Sequence, residues 1–170
     1  MKLQKSFFYV LMTILFISIN IFISDANVYL KPEEIKQLKS SPVKAIIPYY
    51  LPNGFNVSFI KVEILSGEEK SYSGYDITYE NKSESSFCIR GAGSLGNGWD
   101  SCIEKNNKTL VKTKVGNVYI CSSENSYYTN WIQYKNKNYE LSSPCKDDPS
   151  NKRINKNDFI KVIKSLGTIK

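Results

Sequence analysis

Cys88, Cys102, Cys121 and Cys145 are the residues of this chain with the most covalent chemistry available to them, and the chain holds no histidine to activate them. Without histidine, Ser-His-Asp and Cys-His catalysis, His-ligated metal and histidine pH switching are all excluded within one chain. The cysteine spacings of 14, 19 and 24 residues are too long for the paired C-x2-4-C ligands of a zinc site. An even count reads instead as two disulfides in an oxidising compartment, with three possible connectivities. Neighbour pairing, Cys88–Cys102 and Cys121–Cys145, closes the shortest loops and is the expected arrangement. Each such bridge would stabilise the fold by about 3 kcal/mol by restricting the unfolded chain.

Carboxylate pairs are the remaining route to acid–base work, as in glycoside hydrolysis. Asp76 with Glu80, and Asp100 with Glu104, are the candidates. Lysines accompany both glutamates, and so small a chain rarely builds a deep cleft, so a non-enzymatic role is expected. Gly91-Ala92-Gly93-Ser94-Leu95-Gly96 matches the G-x-G-x-x-G dinucleotide pattern. That chemistry needs a helix opening within the motif to hold a pyrophosphate, whereas Asn97-Gly98-Trp99-Asp100 are turn formers. Ser41-Pro42-Val43-Lys44 matches S-x-x-K, but neither the S-D-N nor the K-T-G partner occurs. No cofactor and no metal are expected.

Binding is the better use of these residues. Loops carry contacts more often than the elements they join, so Arg90 and Trp99, beside the expected Cys88–Cys102 bridge, are candidates. Tyr127 and Tyr128, with Trp131, Tyr134 and Tyr139 nearby, could stack on sugars or meet a protein. The competing reading makes Trp131 and Tyr139 core or cross-strand residues of a hairpin.

The elements that would position these groups are legible from pattern. Pro32 at a first turn, followed by Glu33 and Glu34, starts a helix that Pro42 ends. Phe55 to Ile64 changes apolar parity partway, which predicts a bulged strand. Tyr75, Ile77 and Tyr79 share one strand face, and Phe87 and Ile89 share another. Leu110, Val118 and Ile120 are expected inside a following strand pair. Residues on either side of Lys135-Asn136-Lys137 read as a hairpin. Asn155 caps a last helix whose Phe159, Ile160, Val162, Ile163 and Leu166 lie on one face, with Gly167 as the residue that ends it. Consecutive strands with helices at the ends give an α+β fold, an antiparallel sheet with the C-terminal helix packed on one face.

Residues 1–26 supply an address. Lys2 and Lys5 precede an apolar run, Phe7 to Ile23, and Ser24-Asp25-Ala26 suits a signal-peptidase cut. The run is also nearly long enough for a retained membrane anchor. Either way residues 27–170 form a single exported α+β domain, secreted or periplasmic, because the lysines stay inside. The net charge is +7, and losing Lys2, Lys5 and Asp25 leaves it positive. Expected partners are an envelope protein, an anionic polymer or a lipid. Only Arg90 and Arg153 are arginines, which argues against a nucleic-acid reader. Membrane contact is expected only through a retained N-terminal segment.

Residues 48–166 resemble a family of bacterial extracytoplasmic domains of unknown function. Such domains follow the membrane segment of anti-sigma-type regulators and are compared with lipoprotein-carrier folds. The resemblance rests on Leu51-Pro52-Asn53-Gly54-Phe55, Gly116 with Val118-Tyr119, and Trp131-Ile132 with Tyr139-Glu140-Leu141. It ends on Asn157-Asp158 and Ile163-Lys164-Ser165-Leu166. The four cysteines depart from it, and residues 1–6 are too short for a cytoplasmic sigma-binding domain. The resemblance implies no catalytic residues. Three roles follow: a non-enzymatic exported domain binding a partner or ligand, a carrier or envelope sensor for an apolar ligand such as a lipid, and a small carboxylate hydrolase.

Overall fold

The computed structural model describes residues 29–64, 74–92, 108–122, 125–134, 137–145 and 151–169, with the backbone alone for 128–134. The protein is mostly β with two short helices. Helix α1 (Pro32–Lys39) is followed by β1 (Ile46–Pro48), β2 (Asn56–Glu63), β3 (Gly74–Glu80), β4 (Ser85–Ala92) and β5 (Lys108–Thr113). Then come β6 (Gly116–Ser122), β7 (Tyr127–Tyr134), β8 (Lys137–Ser143), β9 (Lys152–Arg153), α2 (Lys156–Lys164) and β10 (Leu166–Thr168). The apolar N-terminal run and its cleavage site lie outside the described residues. Among the described residues no helix is long and apolar enough to cross a membrane.

The larger sheet runs β2-β3-β4-β8-β7-β6-β5, every neighbour antiparallel. Its register aligns Ile60, Ile77, Ile89, Leu141, Thr129 and Ile120 in one row across six strands. Because side chains of paired residues share a face, that row puts Ile77, Ile89 and Leu141 completely inside. Phe87 stacks on Tyr79 with centroids 4.6 Å apart, and Phe55 lies 5.6 Å from Phe87. Phe159, Val162 and Ile163 of α2 and Leu38 of α1 close the same apolar cluster. The parity change expected in β2 is present as a register shift between Val57 and Phe59. It leaves Val57, Ile60 and Val62 partly buried against the core and Phe59 exposed.

Four expectations need correction. The sheet is mixed, because β9 pairs in parallel with Ser85 and Ser86 of β4. The pairing of β8 with β4 stops at Cys88, so the first residues of β4 keep an open side that β9 fills, with Lys152 N–H donating to Glu84 C=O at 2.7 Å. Leu110 is 46 % exposed. It pairs with Tyr119, while the neighbouring Val111–Val118 pair takes the inner face. Gly167 does not end the helix; Ser165 does, and Gly167 lies within β10. A Cβ at Gly167 would collide with the Tyr49 ring, so the glycine serves close approach. Finally, neither expected disulfide forms, since Cys88 and Cys145 are both free thiols. Shortest-loop reasoning ignores strand register, and register sets Cys88 beside Ser142 of β8.

The smaller sheet, β1 with β10, is attached to the larger one by polar anchors inside the core. Ala45 and Tyr49 exchange backbone bonds with the β10 side, which turns the N–H and C=O of Ile46 away from that partner. The Tyr75 hydroxyl receives both: Ile46 N–H donates to it at 2.8 Å, and it donates to Ile46 C=O at 3.2 Å. Burial raises the Tyr75 phenol well above its ordinary pKa, so it stays protonated and able to donate. Gly91 sits between Tyr75 and Tyr139, where a Cβ would meet both rings. This glycine of the G-x-G-x-x-G match is thus spent on packing two tyrosines. Tyr75→Phe should cost about 1–3 kcal/mol by stranding buried backbone groups. Urea unfolding should show a lower midpoint with an unchanged slope; an unaltered midpoint would discount the anchor.

Candidate functional site

An open polar cleft of about 370 Å³ lies where three turns meet the start of α2. The Leu51-Pro52-Asn53-Gly54 turn forms one wall; Phe55 N–H bonds Pro52 C=O at 3.1 Å, and Gly54 takes φ +81°. That positive φ is where glycine is required. Asn81 forms the second wall. Its side-chain oxygen accepts from Ser83 and Ser85 N–H, both at 3.0 Å, and holds the turn between β3 and β4. The third wall is Arg153 of β9 followed by Ile154 and Asn155.

The floor is built around Asp158. Asn155 caps α2 by accepting the Asp158 N–H at 2.9 Å, and its amide donates back to the Asp158 carboxylate. Tyr50 hydroxyl donates to the same carboxylate at 3.0 Å, and Lys161 pairs with it at 3.3 Å. These donors, the Asn155 amide foremost, hold the Asp158 carboxyl below its ordinary 3.8 against the opposing effect of burial. Donation to Asp158 likewise raises the Lys161 ammonium above its ordinary range. Arg153 lies 4.8 Å over the Tyr127 ring, and the Lys161 ammonium 5.6 Å over the Tyr50 ring. Among the described residues the lining therefore carries two cations, one already committed carboxylate, and several amide and hydroxyl groups. Such a surface can bind an anionic or hydroxyl-rich group. Among the described residues its lining holds one carboxylate, Asp158.

The residues expected from sequence to make contacts are dispersed. Arg90 Nε donates to Asp76 at 2.6 Å across β3 and β4, with both groups about a third exposed or less. Tyr127 is buried, its ring 5.4 Å from Phe159 in a stacked arrangement, so it supports the core and offers solvent no face. Tyr139 is 1 % exposed and donates to Lys44 C=O at 2.9 Å, the core reading of that residue. Tyr128 lies in β7 opposite Cys121 and Ser142. Trp99, Cys102, Asp100 and Glu104 lie outside the described residues. Asp76 and Glu80 stand four residues apart on one strand, which separates them by about 13 Å at a strand's rise and exceeds the range for paired catalytic carboxylates. Glu80 instead accepts from the Asn151 amide at 3.4 Å. No group of three His, Cys, Asp or Glu among the described residues is placed to hold a metal.

Sequence reasoning missed Tyr50, Asn81, Ser85, Arg153 and Lys161 as companions. The Asn-Gly turn, the Asn81 turn and the Asn155 cap were each visible; what was missing was the convergence of three distant turns. Comparison with known proteins adds no name to this geometry: no family model, no curated protein and no solved structure matches the chain.

Asp158 gives the site a defined pH response. Its folded pKa is depressed, so its contribution is present above the ordinary carboxyl value and is lost as pH falls through the lower folded one. Lys161 has the opposite sign: its contribution is complete below its ordinary 10.5 and fades as pH rises through its raised value. Asp158→Asn should therefore be less stable than wild type at pH 7 and equal to it in strong acid. Asn155→Ala should cost about 1 kcal/mol at pH 7 through the lost cap. Chemical unfolding at both pH values checks the pair; an Asp158→Asn deficit that persists unchanged in acid would contradict the assignment.

Proposed function

We propose that the chain is a small exported, non-enzymatic α+β domain that binds an anionic polymer of the cell envelope. The cleft at the start of α2 is its contact surface. The supporting observation is the cleft itself: open, polar, bordered by Arg153 and Lys161, with Asp158 as the one carboxylate among the described residues that line it. Exposed Lys152, Lys156 and Lys164 on β9 and α2 extend the positive surface away from it. An anionic chain lying across this face would meet the cleft cations first and the flanking lysines along its length. The resemblance to extracytoplasmic domains, which implies no catalytic residues, agrees with a binding role.

The described interior supports this reading over a lipid carrier. A carrier needs an apolar cavity between sheet and C-terminal helix. Here Phe87, Ile89 and Leu141 of the sheet and Phe159, Val162 and Ile163 of α2 are all at 0 % exposure within one cluster.

The test is titration of residues 27–170 with a linear phosphate- or carboxylate-bearing polymer. Arg153→Gln with Lys161→Gln should weaken binding roughly tenfold or more. The affinity should also lose part of its salt dependence. Lys36→Gln with Lys39→Gln, exposed on α1, should leave affinity nearly unchanged. Equal losses from the two double variants would mean that net charge alone, and not this cleft, carries the interaction.

A further inference from the structure

The Cys88 and Cys145 thiols are neighbours on the face of the large sheet opposite the α2 contact. Several independent bonds set them there. Cys88 Sγ lies 3.2 Å from Ser142 Oγ, its partner across β4 and β8. The Cys145 N–H donates to Ser86 Oγ at 3.1 Å, and Ser86 is two residues from Cys88 on the same strand face. Thr78 pairs with Cys88 across β3 and β4, and its side chain adjoins Cys145. A second network fixes the backbone behind Cys145. Ser143 Oγ donates to Ser86 C=O at 2.6 Å and accepts Ile154 N–H at 2.9 Å. Cys121, the third described cysteine, is not among the free thiols, and Cys102 lies outside the described residues.

We propose that Cys88 and Cys145 form a reversible dithiol–disulfide couple, closed by exchange with an external disulfide, with Cys88 as the attacking thiol and Cys145 as the resolving one. The asymmetry between the two supports that order. Cys88 is half-buried and Cys145 buried, so an external disulfide reaches Cys88 first. The Cys145 thiol, then Ser142 and Arg90, favour the Cys88 thiolate against the opposing effects of burial and Glu140. Donation to Cys88, followed by burial, keeps the proton on Cys145. In the first step the Cys88 thiolate attacks one sulfur of the external disulfide. A mixed disulfide forms, the external S–S bond breaks, and the departing thiolate takes up the proton Cys88 gave away. Cys145 then loses its proton and attacks the Cys88 sulfur, forming Cys88–Cys145 and expelling the second thiolate, which is protonated in turn. Two thiols of the chain are oxidised by two electrons, and the external disulfide is reduced to two thiols. The resulting connectivity is unlike either neighbour pairing.

The experiment uses the reduced full chain equilibrated across a series of reduced and oxidised glutathione ratios, then acid-quenched, alkylated and mapped as non-reduced peptides. At the oxidising end a Cys88–Cys145 peptide should appear, lighter by two hydrogens than the sum of its reduced halves, and returning the sample to the reducing end should reopen it. Peptides joining Cys88 to Cys102 or Cys145 to Cys121, or full alkylation of Cys88 and Cys145 throughout, would overturn the pairing. Cys145→Ser should trap glutathione on Cys88, whereas Cys88→Ser should leave Cys145 slow to react. Equal trapping rates in the two variants would overturn the assigned order. The wild-type map reads the pairing even where a variant fails to fold.

Discussion

The fold depends on a polar bond made where no water reaches. β1 and β10 make a two-stranded sheet of three residues each, too small to persist alone. The Tyr75 hydroxyl satisfies both backbone groups that Ile46 turns away from β10, and it does so from β3 of the larger sheet. Tyr139, on the far side of β4 from Tyr75, reaches Lys44 C=O, and Ser165 Oγ accepts from Tyr49 and Tyr50 N–H at 3.1 and 3.0 Å. These anchors place Tyr50, and with it a wall of the polar cleft, against the first turn of α2. Without them, apolar contact would hold the two sheets together but would not fix which residue faces which.

Much of this was legible in local sequence, and the reasons are local too. Asn155 with Asp158 predicts a capped helix because capping is decided within one turn, and the bond is there. The parity change between Phe55 and Ile64 predicts a bulge because side-chain period is fixed along a strand. Tyr75, Ile77, Tyr79, Phe87 and Ile89 follow the same rule and are all buried. The failures concern relations between distant segments. Leu110 and Val111 are adjacent apolar residues, and only the pairing with β6 decides which turns inward. A strand of three residues after a helix, β10, is too short for any period to show, so Gly167 looked like a terminator. The cysteines were paired by separation in sequence, but the register of β4 and β8 sets Cys88 beside Ser142, three residues from Cys145. The cleft shares this origin: its walls come from segments around residues 53, 81 and 153, and no motif spans them.

Serine chemistry links the two faces of the molecule. Ser86 and Ser143 are fully buried polar residues, which is costly unless every group is satisfied. Their hydroxyls take the backbone N–H groups of Cys145 and Ile154. The chain can thus leave β8, pass the thiol pair and re-enter beside β4 as β9, delivering Arg153 to the cleft. The open side at the start of β4 and the position of Arg153 are therefore one structural fact.

The register shift in β2 also bears on how copies of this protein meet. β2 and β5 stand at the two ends of the described strand order, where unpaired backbone groups invite another chain to add a strand. A bulge at Val57–Phe59 interrupts the even spacing that such an addition needs, and the ion-paired Lys61 and Glu63 occupy the remainder of that strand. On β5 the exposed Lys108 and Lys112 set like charges against any identical strand approaching in register. Both ends of the described strand order thus carry features that disfavour the addition of a further strand.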